Sequence, residues 1–518
     1  MVLVILGLDG MNFELISYCK KWMPNMMRLL EKSAQGTLKS VFPPLSGPAW
    51  VSILTGKPVG EHGFVNSFYF DNNLHPRLLD PEKITYEHFY EKIWKAGGKV
   101  FLMDVPFSSS RTIDGDFLDS YFSSKPKSEM VKPQDLTQQF PSIQQYINYK
   151  MKSRNFLESI DGFKEIVDKN GAIIKEVMEA RQHDLMFFQL TVLDWMQHKA
   201  FIDLKYGRNS EQAKGSLELL QQVDDLLGWM MDNLYAEDYF FIFSDHGAGQ
   251  LEGTFFINTW LQQQGYLTLK WQHSPLTSVK ADPKHFLLFH LTKIAKSNRH
   301  LLQIGKYFHR RFRKQLGKDV GIREQIDTSS TKAACLIKNI PIITIFEDDP
   351  EEKEKIIKNL KEQIKKELGF DVVAAADFYS CSSPQALSSQ AISSSEALKN
   401  ISLYGDLVVD TGDAYDVDIS LGPHVFLKGE VMFHNFNSLF IAKGPGIEKK
   451  AVSGSIIDIA PTILNLYGIS DNQGHAQSSG NIIPLFASGF KPKPLVSTIR
   501  RNREEKMESK EFMAALDV

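Results

Sequence analysis

The chain has 518 residues and a formal net charge of -3, and its length predicts two or three domains, or one large domain with insertions. This charge gives no electrostatic reason to expect a nucleic-acid partner. Cys19, Cys335 and Cys381 lack paired spacing, so neither a disulfide framework nor a thiolate metal site is predicted. No apolar run reaches the roughly 18 residues of a membrane helix. We therefore expect a cytoplasmic protein without a transmembrane segment.

Apolar strands alternate with helical patterns over the first half of the chain. Short apolar runs predict strands at "VLVILGLDG", "GTLKSVFP", "KVFLMDVP", "LMFFQLTVLD" and "DYFFIFSDHG". Helices are predicted at "PNMMRLLEKSA" and at "SLELLQQVDDLLGWMMDNL", where apolar residues recur every three or four positions. This alternation predicts an α/β fold, a three-layer α/β/α sandwich with helices on both faces of a parallel sheet.

The character of the sequence changes between residues 270 and 400. It includes the basic, helical stretch "HFLLFHLTKIAKSNRHLLQIGKYFHRRFRKQ", the charged helix "EDDPEEKEKIIKNLKEQIKKEL" and the serine-rich loop "SCSSPQALSSQAISSSEA". The sheet is expected to resume at "GDLVVD" and "SLFIAKGPGI", followed by a short helix in "SIIDIAPTILNLYGI". We predict an α/β core over residues 1–269 and 401–490, an inserted, mainly helical cap over 270–400, and a charged tail over 491–518.

Three of the predicted apolar strands are followed by an aspartate. These residues are Asp9, Asp194 and Asp245. In open α/β sheets, ligands bind outside the carboxyl ends of the strands. One aspartate at such a position is commonly part of a turn, but three of them indicate a shared site.

Two of these aspartates have a histidine close behind them. His198 follows Asp194 by one helical turn, and His246 is adjacent to Asp245, where Gly247 permits a sharp turn. Taken alone, each pair has an ordinary structural reading, as a surface pair or a turn. Together they offer oxygen and nitrogen ligands without sulfur, a set that suits zinc, with manganese or another divalent ion as the alternative.

Ser46 occupies an unusual position in "PPLSGPAWVSILTGK", residues 43–57. It lies between prolines and a glycine, directly before an apolar run with helical spacing. One interpretation is that the segment is only a helix start. The other is that the hydroxyl of Ser46 is a nucleophile whose partners come from elsewhere in the chain.

The ordered motifs carry a resemblance to a known family. The chain resembles the alkaline phosphatase superfamily, and within it the type I phosphodiesterase and nucleotide pyrophosphatase branch in its soluble bacterial and archaeal form. The matching segments are "GLDGMN", "PPLSGPAWVSILTGKPVGEHG", "LDWMQH", "FSDHG", "INTWLQQQGYL", "FHNFNSLFIAKGPGI" and "DIAPTILNLYGI". They cover roughly residues 1–270 and 400–485 and leave the cap and tail unmatched.

The resemblance implies an alkaline phosphatase-like fold and a site for two divalent metal ions, zinc or alternatively manganese. One ion would be surrounded by Asp9, Ser46, Asp245 and His246. The other would be held by Asp194, His198 and a late histidine. The segment "LGPHVFLKGEVMFHN" offers both His424 and His434 for that place. The spacing before the "GPG" turn in related proteins favours His434.

The resemblance also implies a reaction. Ser46, at a helix N-terminus that favours anions, would attack phosphorus and form a covalent phosphoseryl intermediate. Coordination to one ion would lower the pKa of the hydroxyl, and the second ion would stabilise the leaving oxygen. We therefore predict a metal-dependent phosphoric ester hydrolase of the phosphodiesterase type, acting on a small-molecule phosphate ester. The oligomeric state is left open.

One departure from the family pattern concerns the substrate. Nucleotide pyrophosphatases carry an asparagine three residues after the nucleophile, and its amide holds a phosphate oxygen. Here that position is Ala49. Two alternatives therefore stay open: a phosphomonoesterase or phosphonate hydrolase of the same superfamily, and a non-catalytic metal-binding homologue.

Overall fold

The fold of the protein is given by a computed structural model. The structure describes residues 1–71, 73–78, 86–108, 113–119, 130–152, 159–270, 322–380, 395–412, 414–469 and 479–486. The predicted basic helical stretch and the charged tail lie outside these residues, as do Cys381 and the rest of the serine-rich loop between residues 381 and 394. The two ends of that predicted loop, Ser380 and residues 395–397, are helical.

Strands are found along the whole described chain. In chain order they are β1 Leu3–Leu8, β2 Ala34–Lys39, β3 Phe68–Phe70, β4 Pro76–Leu78, β5 Val100–Met103, β6 Asp116–Leu118, β7 Val131–Lys132, β8 Leu185–Leu190, β9 Tyr239–Phe243, β10 Gly247–Phe256, β11 Ala333–Cys335, β12 Ile342–Ile345, β13 Asp371–Ala374, β14 Leu407–Asp410, β15 Tyr415–Asp418, β16 Phe426–Asn435, β17 Asn437–Lys443, β18 Lys450–Ala451 and β19 Gly454–Ser455.

Helices fill most of the connections between the strands. In chain order they are α1 Phe13–Cys19, α2 Pro24–Leu30, α3 Ser46–Thr55, α4 Val59–His62, α5 Phe89–Lys95, α6 Leu136–Gln139, α7 Pro141–Lys152, α8 Ile160–Ala180, α9 Val192–Lys205, α10 Glu211–Asp232, α11 Ile257–Gln263, α12 Ile322–Gln325, α13 Pro350–Leu368, α14 Ala375–Ser380, α15 Ser395–Ser402 and α16 Ile459–Leu466. Short 3-10 helices span Lys20–Trp22 and Ile456–Asp458.

Within the described residues, ten strands form one central sheet. Its order is β18-β2-β17-β9-β1-β8-β5-β6-β7, and β19 also pairs with β2. The central strands β9, β1, β8, β5 and β6 are parallel, as predicted. However, β17 runs antiparallel between β9 and β2, so the predicted parallel sheet is mixed at this edge. The apolar pattern of a buried strand does not report its direction.

The sheet is covered on both faces, which confirms the α/β/α sandwich. Alternate residues of β1 belong to different cores, because successive side chains of a strand point to opposite faces. Val4 and Leu6 pack in the core that contains α1, α8, α9 and α10. Leu3 and Ile5 pack in the core that contains α3, α5 and α16.

The inserted region contains a sheet that the sequence did not predict. Strands β11, β12, β14 and β13 form a separate four-stranded sheet, packed in a third core with α13. The prediction that "GDLVVD" returns to the central sheet was therefore wrong, because β14 pairs antiparallel with β12 and β13. The strand itself was expected, but an apolar run does not specify its partners. The boundary at residue 400 stays a prediction.

No helix in the described part of the chain combines the length and apolar character needed to cross a membrane.

Candidate active site

Three aspartates meet at one edge of the central sheet. Asp9 follows β1, Asp245 follows β9, and Asp194 lies in the first turn of α9, just after β8. Because β9, β1 and β8 are adjacent and parallel, their carboxyl ends bring the three side chains together. The backbone N–H of Gly10 donates to Asp245 Oδ1 over 3.2 Å, which joins two of the three strand ends.

Ser46 is the first residue of α3, and its hydroxyl faces this edge of the sheet. Its Oγ lies 3.4 Å from Asp9 Oδ1 and 3.2 Å from His246 Nε2. The first turn of a helix leaves backbone N–H groups without intrahelical partners, and here Gly47 supplies one while Pro48 has none. Ser46 is partly exposed to solvent.

His434 is brought to the site by strand pairing. In the antiparallel ladder of β10 and β16, His434 lies opposite Ala248, two residues after His246. The rings of His246 and His434 stack with their centroids 3.7 Å apart. His434 Nδ1 lies 3.0 Å from the Pro44 carbonyl oxygen and donates to it, so Nε2 keeps its lone pair. By contrast, His424 is exposed and precedes β16.

A second group of ligand atoms surrounds Asp194. Its Oδ1 lies 3.1 Å from His434 Nε2 and 3.5 Å from His198 Nε2, and these two nitrogens are 3.0 Å apart. The side chain of His198 is 38% exposed, whereas those of Asp194 and His434 are 10% or less, so this group opens to solvent at His198.

The predicted ligands thus fall into two geometric groups. Asp194, His198 and His434 form one, as expected; Asp9, Asp194 and His246 form the other, with Asp194 common to both. Asp245 borders the group that contains Asp9 and His246, with its Oδ2 3.3 Å from His246 Nε2. The seven residues singled out from the sequence are therefore close together in space. Their roles stay a prediction.

Crowding of the carboxylates shifts their pKa values in different directions. The pKa of Asp9 is well above its usual range because the group is buried and faces the charges of Asp245 and Asp194. Burial would also raise the pKa of Asp194, but the imidazole of His434, assisted by that of His198, lowers it below the usual range.

Burial lowers the pKa values of two imidazoles at the site, and His434 is the exception. Burial lowers the pKa of His246 to about 4 and also lowers that of His198. The pKa of His434 is raised, since the adjacent Asp194 carboxylate outweighs the effect of burial. Neutral imidazoles are the form that ligates a metal ion.

The donor set fits a divalent metal ion. Asp194 Oδ1 and Asp245 Oδ2 are buried and have no hydrogen-bond partner among the described residues. No lysine or arginine in the described part of the chain forms an ion pair with Asp9, Asp194 or Asp245. Clustered buried carboxylates without a cationic side chain are stabilised by a bound cation.

Ala49 does not supply a contact for substrate. Its side chain is fully buried in the core beneath α3. The amide that holds a phosphate oxygen in nucleotide pyrophosphatases therefore has no counterpart at this position.

Sequence reasoning missed two glutamines at the site. Gln189 Nε2 donates to Asp9 Oδ2 over 3.1 Å, and Gln197 lies against Gly10 beside Asp194. Gln189 could have been identified from the sequence, because a glutamine inside the apolar run "LMFFQL" is expected to be buried on a central strand and to need a hydrogen-bond partner. Gln197 left no such signal, since a polar residue is ordinary on a helix.

His62 fixes the loop that follows α3. Its Nδ1 accepts from the backbone N–H of Phe64 at 3.1 Å, so Nε2 carries the proton and donates to Ser52 Oγ at 2.8 Å. Burial lowers the pKa of His62 to about 3. A proton added at Nδ1 would remove the acceptor, so the folded chain resists protonation.

We expect His62 to make the unfolding free energy of the protein depend on pH. Between pH 6.5 and 3 the unfolded chain binds a proton that the folded chain does not, so stability that is present above pH 6.5 is lost as the pH falls. From pH 7 to pH 5, wild type should lose about 2 kcal/mol more unfolding free energy than His62→Gln. Urea unfolding of both metal-free proteins at the two pH values measures this difference. Equal losses of unfolding free energy in the two proteins would contradict the lowered pKa of His62.

Solved structures share this fold. Phosphonoacetate hydrolase from Sinorhizobium meliloti 1021, in complex with phosphonoformate, is 12% identical, with a TM-score of 0.51 over 89% of this chain and 94% of that chain. An inactive variant of murine ectonucleotide pyrophosphatase/phosphodiesterase 5, in complex with AMP, is 13% identical, with a TM-score of 0.50 over 92% and 97%. Identities this low show a common fold alone.

Sequence comparison supplies the family. No curated protein matches the chain significantly. The model of the family "type I phosphodiesterase / nucleotide pyrophosphatase" matches residues 3–417, a range that includes Ser46, both Asp-His pairs and Asp9. This match confirms the resemblance drawn from the motifs. The chain belongs to the type I phosphodiesterase/nucleotide pyrophosphatase family.

Proposed function

We propose that this protein is a metal-dependent phosphoric ester hydrolase that uses Ser46 as its nucleophile and two divalent ions as cofactors. The observation that carries the proposal is the position of Ser46 Oγ, 3.4 Å from Asp9 and 3.2 Å from His246, at the edge of a cluster of buried carboxylates and imidazoles. Family membership supports phosphoester hydrolysis. Zinc suits the donor set, with manganese as the alternative.

The protein groups around Ser46 orient the nucleophile. Asp9 and His246 fix Oγ from two sides, and the N-terminal turn of α3 provides the backbone N–H of Gly47 for an anionic phosphoryl oxygen. Attack of Oγ on phosphorus forms the seryl ester and breaks the bond to the leaving group; solvent takes the proton lost from the Ser46 hydroxyl, and water protonates the departing alkoxide. Hydrolysis of the seryl ester by water then releases the phosphorus product and restores the hydroxyl. When bound, the divalent ions lower the pKa of a coordinated hydroxyl and neutralise charge on the phosphoryl group.

The second group of ligands determines where a further ion would bind. His434 is oriented by its hydrogen bond to the Pro44 carbonyl. Because Pro44 lies two residues before Ser46, this bond connects the Asp194 group to the segment that carries the nucleophile. The exposed edge at His198 leaves an approach for substrate and water.

A small phosphate ester is the proposed substrate, and diesters or phosphonates are preferred over monoesters. The two structural neighbours were solved with phosphonoformate and AMP, small phosphorus-containing anions. Because Ala49 offers no amide, nucleotide pyrophosphatase activity itself is the less favoured member of this class. We propose a cytoplasmic location, consistent with the unpaired, buried thiols of Cys19 and Cys335.

A panel of chromogenic esters tests the function. We expect the protein to be inactive after chelation and to regain hydrolysis of a diester or phosphonate ester when zinc or manganese is added back. Each ester is assayed with the chelated protein as its control. A protein that binds metal but hydrolyses neither mono-, di- nor phosphonate esters would instead favour the non-catalytic, metal-binding alternative.

A further inference from the structure

Two glutamine side chains lie fully buried beside the carboxylates of Asp9 and Asp194. Gln189 in β8 and Gln197 in α9 are both 0% exposed. Oε1 of Gln189 and both amide atoms of Gln197 have no hydrogen-bond partner among the described residues. An unsatisfied buried amide is destabilising, and native proteins contain few of them. Their occurrence beside clustered metal-ligating groups points to a role in that site.

The position of Gln189 depends on a glycine in the neighbouring strand. Gly7 of β1 lies opposite Gln189 in the parallel ladder, and a Cβ atom at Gly7 would lie 1.8 Å from Gln189 Oε1. The glycine therefore makes room for the amide. In this position Nε2 donates to Asp9 Oδ2, and the other oxygen, Oδ1, is left facing the hydroxyl of Ser46.

Gln197 also lies against a glycine, beside the carboxylate of Asp194 but without a hydrogen bond to it. Gly10 adopts the left-handed conformation, with φ of +69°. A Cβ atom there would lie 2.9 Å from Gln197 Nε2 and 3.2 Å from Asp194 Oδ1. The amide nitrogen and the carboxylate oxygen thus border the same small space, which glycine leaves open.

We propose that Gln189 and Gln197 are positioning residues, Gln189 for the Asp9 half of the metal site and Gln197 for the Asp194 half. The inference rests on the proposed function. The hydrogen bond of Gln189 to Asp9 Oδ2 restricts rotation of that carboxylate and holds its other oxygen in place for a ligand. Gln197 forms no such bond in this structure; its amide nitrogen borders the same small space as Asp194 Oδ1 and is placed to restrain that carboxylate there. A neutral amide provides this restraint without adding charge to a site that already has three carboxylates.

Release of zinc from the loaded protein to excess chelator tests the proposal. Gln189→Met and Gln197→Met keep the side-chain length and remove the amide. Each variant should release one of the two ions roughly 10- to 100-fold faster than wild type, as for other residues that support metal ligands. The double variant should release both faster. Gln35→Met is the control, because its amide donates to the Leu30 carbonyl at 3.1 Å on β2, away from the site.

The outcomes separate the inference from the proposed function. Wild-type release rates in both folded variants would overturn the inference and leave the function intact. Equal acceleration of both ions in either single variant would indicate general loosening and would also overturn it. A wild-type protein that takes up no divalent ion would overturn both. If Gln189→Met does not fold, Gln189→Asn tests the same bond, because its amide is one carbon too short to reach Asp9.

Discussion

Ser46→Ala is expected to reduce ester hydrolysis by roughly 10⁴-fold or more, the scale on which removal of a nucleophile acts in other covalent hydrolases. The change removes the oxygen that lies 3.4 Å from Asp9 Oδ1 and 3.2 Å from His246 Nε2. The metal content should be retained, because the carboxylates and imidazoles of the site are unchanged. Turnover and bound metal are measured on the same preparation.

Ser52→Ala is the matched control for this experiment. Ser52 lies in the same helix, but its hydroxyl is buried and bonded to His62 Nε2 at 2.8 Å. Its loss should cost about 1–3 kcal/mol of unfolding free energy, as for other buried hydrogen bonds that lose one partner, and leave the turnover of the folded protein unchanged. Near-wild-type hydrolysis by Ser46→Ala would remove this serine as the nucleophile.

His434→Ala is expected to lose one of two metal equivalents and at least about 100-fold in turnover, the upper range seen when only a supporting residue is removed. The reason is that Nε2 of His434 lies 3.1 Å from Asp194 and 3.0 Å from His198, so its loss opens the second ligand group. Metal content by elemental analysis and turnover of the folded variant check this expectation.

His424→Ala provides the control, since His424 is the other histidine that the sequence offers and its side chain is exposed. The His424→Ala variant should keep two metal equivalents and full turnover. If His424→Ala loses the metal while His434→Ala keeps it, the choice between the two histidines was wrong.

The location of the site could be predicted from the sequence because it depends on strand ends. Apolar runs indicate where buried strands stop, and parallel neighbours stop at the same edge. Asp9, Asp194 and Asp245 therefore came together as expected, each with a neighbouring histidine or serine. The choice of His434 needed the family resemblance, because the register of β10 against β16 has no local signal in either strand.

Long-range pairing explains what the sequence did not predict. The reversed strand β17 and the transfer of β14 to a second sheet depend on which strands become neighbours, and hydrophobic pattern does not encode that choice. Gln197 was missed for a related reason, and the apolar run around Gln189 gave a signal without identifying its partner. The two glutamines lie against Gly10 and Gly7 respectively, which are distant from them in sequence and adjacent in the fold.

Anomalous diffraction from crystals of the zinc-loaded protein would locate the bound ions relative to Ser46. We expect two ions about 3.5–4 Å apart, as in other two-metal hydrolases. One should lie among Asp9, Asp245, His246 and the Ser46 hydroxyl, and the other among Asp194, His198 and His434. Anomalous peaks elsewhere on the molecule, with none within bonding distance of Ser46 Oγ, would contradict it.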